Sequence, residues 1–153
     1  MSLPLKWLSG IMLLCLLVAA AQAVAVFRAD IHYTNANTEL SFWGRGDYSP
    51  NFDSQQQLEQ HIQQALALRP AHPDYLVLHA KGHDWFAFWA QDANTSIAHS
   101  QQAAEQQWQA LMGRPAHQQS WAAMVDYKVR LKEYDAQWRM ARDTQKALDS
   151  IRE

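Results

Sequence analysis

Residues 65–80 read ALALRPAHPDYLVLHA, and residues 109–124 read QALMGRPAHQQSWAAM. Arg-Pro-Ala-His stands in both, at 69–72 and at 114–117, 45 residues apart. Each copy follows an apolar segment bearing Ala and Leu and precedes an aromatic one. Proline fixes φ and removes a backbone donor, so it ends a helix, yet it fits the first position of the next. Pro70 and Pro73 are therefore read as the end of one helix and the start of another, with Pro73 at the first helical position and His72 and His117 as loop residues. The same punctuation used twice predicts a repeated helical unit.

The flanking segments carry helical spacing. Tyr75, Leu78, Gly82, Trp85 and Trp89 recur at intervals of three and four, and so do Leu58, Ile62, Ala65 and Leu66 before the first copy. Ser54, three before Gln57, has the pattern of a capping box. Asp92 to Ser96 interrupts the aromatic stripe and offers caps for a helix carrying Ile97, Ala104, Trp108 and Leu111, with Gly113 expected just past its end. After the second copy, Trp121, Met124, Lys128 and Leu131 share a face. Lys132, Glu133 and Tyr134 form a short turn, and Asp135 caps a last helix bearing Trp138, Ala141 and Leu148.

Upstream, Ala29, Tyr33, Ala36, Leu40 and Trp43 form a stripe that ends at GRGDYSPNFD (44–53), a loop by its glycines and proline. Arg45, Gly46 and Asp47 within it spell a tripeptide of adhesion ligands, but three residues are a chance match far more often than a motif. No segment alternates with the period of a half-buried strand. The reading is all-α, with three helical hairpins: 28–43 with 54–69, 73–91 with 95–112, and 118–131 with 135–150. A hairpin cannot bury its apolar face alone, so such units stack. The hairpins look like degenerate tetratricopeptide repeats. Trp121, Met124, Leu131, Tyr134 and Asp135 fall where that repeat favours such residues, whereas Val125 and Gln137 depart from it, and the 45-residue spacing exceeds its usual period of about 34.

From residue 7 to residue 27 there is no charge: WLSGIMLLCLLVAAAQAVAVF. A bilayer core takes about 20 helical residues. Lys6 precedes the run, and Arg28 and Asp30 follow it. Ala21, Gln22 and Ala23 fit a signal-peptide cleavage site, but the apolar run continues through Val24, Ala25, Val26 and Phe27, which a cleaved peptide does not require. Residues 1–27 are read as a membrane anchor and residues 28–153 as an extracytoplasmic helical-repeat domain, with a signal peptide as the alternative. The balance of thirteen Lys/Arg against fifteen Asp/Glu gives no basic face for nucleic acid. Cys15, the single cysteine, lies mid-run and excludes a disulfide framework.

With the anchor, the segments at 63–90 and 113–138 resemble the small VpsP-type proteins associated with exopolysaccharide biosynthesis in Gram-negative bacteria. The matching elements are Pro70, Pro73, Tyr75, Leu76, Trp85, Pro115, Trp121, Lys128 and Leu131. The resemblance covers about residues 55–140 plus the anchor. It implies an envelope setting and a role in making or exporting a polysaccharide, and it brings no catalytic residues.

Candidate chemistry is sparse. His79 and His83 share a helical face at the spacing by which two imidazoles chelate one zinc ion. Ala80 stands where a zincin needs glutamate, and the sequence offers no convincing third ligand, His72 being the nearest in the chain. Trp43, Trp85, Trp89, Trp108, Trp121 and Trp138 sit on helical stripes, where large rings usually fill a core. A sugar-stacking platform is the rival use, with Trp43 and Trp89, at element ends, the most exposed. Residues 54–125 hold three Lys/Arg, five Asp/Glu and many glutamines, whereas 126–153 hold seven Lys/Arg and six Asp/Glu, with i,i+4 pairs Asp126–Arg130 and Asp135–Arg139. No nucleophile, phosphate loop or carboxylate pair has a catalytic setting. The expectation is a non-catalytic accessory protein without cofactor. It would bind protein partners of an exopolysaccharide system, or polysaccharide itself, through Tyr75, Leu78, Trp85, Trp89, Trp121 and Lys128. A pilus or secretion assembly factor is the alternative, followed by a sugar- or metal-binding protein.

Overall fold

The computed structural model describes residues 5–133 and 135–152, with side chains described for 9–133 and 135–151. It is all-α, with six helices among the described residues: α1 (Leu5–Phe42), α2 (Phe52–Leu68), α3 (Pro73–Trp89), α4 (Ala93–Gly113), α5 (Gln118–Leu131) and α6 (Ala136–Arg152). Each helix packs against the next as a run of hairpins, and α1 also touches α3. Tyr134, expected in the last turn, lies outside the described residues.

The apolar segment and the first amphipathic helix are one helix. α1 runs 38 residues without a break, a length of about 57 Å. Its most apolar stretch has a mean hydropathy of 2.5 and none of it is buried. The segment is long and apolar enough to cross a membrane, as both an anchor and a signal sequence are. Burial begins at Ala29, which is wholly covered, and continues at Ala36, Leu40 and Trp43. Ala36, Leu40 and Trp43 pack with Leu58 and Ile62 of α2 and Leu78 of α3. Burying a side chain such as Leu58 or Ile62 stabilises by about 2 kcal/mol. Further along, Ala80, Ala103, Ala104 and Tyr127 join α3, α4 and α5, and Leu111, Trp121, Met124 and Ala141 join α4, α5 and α6.

The two Arg-Pro-Ala-His copies adopt the same backbone. Arg69 (φ −144°, ψ 77°) and Arg114 (φ −149°, ψ 70°) end α2 and α4. His72 (φ −73°, ψ 119°) and His117 (φ −87°, ψ 96°) begin α3 and α5, neither giving a side-chain cap. The His72 N–H donates to the Arg69 carbonyl at 3.2 Å, and His117 repeats the bond to Arg114 at 3.3 Å. The turns also touch. A Cβ on Gly113 would stand 3.0 Å from Cγ of Pro73, and Arg114 pairs with Asp74 at 2.8 Å. The Tyr75 hydroxyl donates to Asp30, and Ala29, Ala65 and Tyr75 form a small core. Both turns thus lie at the end of the stack where α1 leaves its apolar stretch.

Several local expectations are corrected. α2 is capped by Asn51, whose Oδ1 accepts from the Ser54 N–H at 2.8 Å, so Ser54 is inside the helix and not its cap. Gly113 is the last residue of α4, where a Cβ would press on the Pro73 ring, and Arg114 is the C-cap. The positive φ of 82° falls instead at Gly44, against the Trp85 ring. Arg130 pairs with Asp84 of α3 at 2.5 Å, and Asp135 pairs with Lys128 at 2.9 Å; these replace the expected pairs with Asp126 and Arg139. The Asp92 and Asp135 caps are present, to the Thr95 and Trp138 N–H groups, each at 2.9 Å.

Candidate functional site

The richest chemistry gathers where α2, α3 and α4 meet. His79 and His83, one turn apart on α3, are buried, with ring centroids 4.4 Å apart. α2 brings Glu59, whose Oε1 lies 3.5 Å from His79 Nε2. α4 brings His99, whose Nδ1 lies 3.1 Å from Nδ1 of His83. Gln63 donates to Glu59 Oε1 at 2.7 Å. Glu59, His79 and His83 each offer a ligand atom within 4.8 Å of the others. Glu59 Oε2 and His79 Nδ1 are buried without a partner in the protein.

The hairpins explain the convergence. Glu59 and His83 each stand twelve residues from Ala71, and His83 and His99 each stand eight from Gln91. Residues equidistant from a turn face one another across antiparallel helices, so the two turns bring three helices to one point. His72, the third ligand the sequence had to offer, instead packs tilted against Tyr75, the ring centroids 4.2 Å apart.

Burial drives the His83 imidazole down to about 4, reinforced by His79, and only partly opposed by Glu59. Burial works against the Glu59 carboxylate as well, but the His79 and Gln63 contacts and the nearby imidazoles outweigh it and hold the group well below the usual carboxylate range. The site therefore combines a neutral imidazole with a carboxylate, the protonation states that ligate a metal ion. Glu59, His83 and His99 line a pocket of about 560 Å³ with Phe52, Gln55 and Phe86. Phe52 is 77% exposed at its rim.

Four of the six residues expected to face a partner do not reach the surface. Tyr75, Leu78 and Trp121 are core, and Lys128 is buried with Nζ bonded to Glu133 at 2.7 Å and Asp135 at 2.9 Å. The helical stripe that singled them out is the stripe that packs. Trp85 and Trp89 are half-buried and stack at 5.0 Å. Trp43, expected among the more exposed rings, is 5% exposed. Its ring meets Trp89 at 4.9 Å and its Nε1 donates to Glu39 at 2.9 Å. These rings cement α1 to α3, and the exposed Phe88 stands beside Trp85 and Trp89. Comparison with protein-family models, curated proteins and solved structures found no match.

Proposed function

We propose that the protein is a non-catalytic, membrane-tethered adaptor. α1 crosses the inner membrane and continues as the first helix of a degenerate tetratricopeptide-like array in the periplasm. The observation that carries this is the continuity of α1: exposed and apolar up to Phe27, buried in the helical stack from Ala29. One stiff helix serving both parts holds the two Arg-Pro-Ala-His turns at the membrane surface and turns the far loops outward. Confinement to the membrane plane raises the effective concentration toward membrane partners.

The contact order supports the repeat reading, since α3 packs on both helices of the preceding hairpin. The resemblance at Pro70, Pro73, Tyr75, Leu76, Trp85, Pro115, Trp121, Lys128 and Leu131 supports an exopolysaccharide setting. The exposed binding surface is the pocket between α2, α3 and α4, where Gln55, Gln56 and Gln60 of α2 offer uncharged hydrogen-bonding groups beside Phe52 and Phe86. A photo-crosslinking residue at Phe52 or Gln56, in cells making the polymer, is expected to trap a subunit of its assembly or export machinery. Crosslinks confined to a pilus or secretion complex would move the adaptor to that system, and none from either position would end the adaptor reading.

A further inference from the structure

The geometry points to a site for one divalent transition-metal ion of the zinc class, held by Glu59, His79 and His83. Imidazole suits zinc, copper, iron and nickel, and two histidines with one carboxylate are a sufficient protein set for an ion that keeps one position open. The two imidazoles come from one face of α3 and the carboxylate from α2, so the ion would staple the first hairpin to the second.

Three observations carry this beyond two packed histidines. The ligand atoms of all three groups already lie within 4.8 Å of one another. Ligand atoms around a tetrahedral zinc ion are about 3.3 Å apart, so closure needs a movement on the order of 1 Å, available to Glu59 as the least buried of the three. Next, Glu59 Oε2 and His79 Nδ1 are buried without a protein partner, although His79 is only 7% exposed. The contact of Glu59 Oε1 with His79 Nε2 at 3.5 Å leaves the second carboxylate oxygen, Oε2, free to meet a cation. Last, His99 holds the His83 ring through its Nδ1 at 3.1 Å, the outer support that orients most histidine ligands. Glu59 and His83 also line the solvent-open pocket, which gives the ion a way in.

The second histidine pair is the internal control. His32 and His61 also approach at 3.1 Å between Nδ1 atoms, but among the described residues no carboxylate joins them in a ligand group. The test uses the untagged full chain in detergent, stripped with a chelator and titrated with Zn²⁺. One ion per chain, a raised melting temperature, and tetrahedral visible bands when Co²⁺ replaces zinc are expected. Glu59→Gln should abolish stoichiometric binding while keeping the helical circular dichroism, and His99→Gln should weaken it about tenfold. His61→Gln should leave it unchanged. Less than one ion per chain, unaltered affinity in Glu59→Gln, or loss in His61→Gln alone would each overturn the site. If His83→Gln fails to fold, the partly exposed Glu59 still decides.

Discussion

The two Arg-Pro-Ala-His turns share four residues and one backbone conformation, yet they fasten different parts of the molecule. The sequences diverge straight after the N-cap histidine, and the third residue along is Tyr75 in the first and Ser120 in the second. Tyr75 reaches back to Asp30 and stacks on Tyr33 at 5.3 Å, which ties the first turn to α1. Ser120 stays local: its Oγ meets His117 Nδ1 at 2.8 Å, and its carbonyl accepts from the buried Gln107 of α4 at 3.0 Å. The following residue carries the contrast on. Leu76 is simple core, whereas the Trp121 indole also donates to the Pro115 carbonyl at 2.6 Å, inside its own turn. Local sequence dictates the turn, and the next two side chains decide what it holds.

Substitutions can break this comparison in order of size. Trp121→Ala removes a fully buried ring and the bond that closes the second turn, and should cost about 3–5 kcal/mol in denaturant unfolding. Leu76→Ala, its counterpart, should cost about 2–4 kcal/mol. Equal values would mean that the indole bond adds nothing. Tyr75→Phe should cost about 1.5 kcal/mol because its partner is a carboxylate. Ser120→Ala should cost about 0.5–1 kcal/mol, since the Gln107 bond goes to the backbone and survives. A reversed order would place the tie to α1 at the wrong turn.

Acid acts on both turns in the same sense. Burial, aided by the neighbouring Arg69 and Arg114, lowers His72 and His117 from their ordinary value. A lowered histidine favours the neutral form, so its contribution is present above about pH 6.5 and fades as pH falls below that value. Melting temperatures followed from pH 7.5 to 5 should decline, and the double variant His72→Gln/His117→Gln should flatten the slope. A steeper decline in the variant would refute the sign. The smallest effect is expected at Arg114→Ala. Its pair with Asp74 is more than a third exposed on both sides, so the loss should stay within about 0–1 kcal/mol and shrink in salt.

Much of the fold was legible because punctuation and period are local. Pro73, Asp92 and Asp135 start helices where a fixed φ or a capping carboxylate requires it. Asn51 outcompeted Ser54 because its side chain reaches the same N–H from outside the helix, a choice no spacing rule separates. The histidine site was half legible. His79 and His83 stand out by their i,i+4 spacing, but Glu59 and His99 join them only through the lengths of two hairpins. Counting equal steps outward from Ala71 and Gln91 would have found both. Lys128 shows the opposite: a lysine on an apolar stripe points to the surface by its charge, but Glu133 and Asp135 let it be buried.

The shared helix is where the account is most exposed to a single measurement, the intact mass of the protein retained in carbonate-washed membranes. A membrane-spanning α1 requires a chain that keeps the residues before Val24 and stays in the membrane pellet. A chain beginning at Val24 and released into the soluble fraction would contradict it.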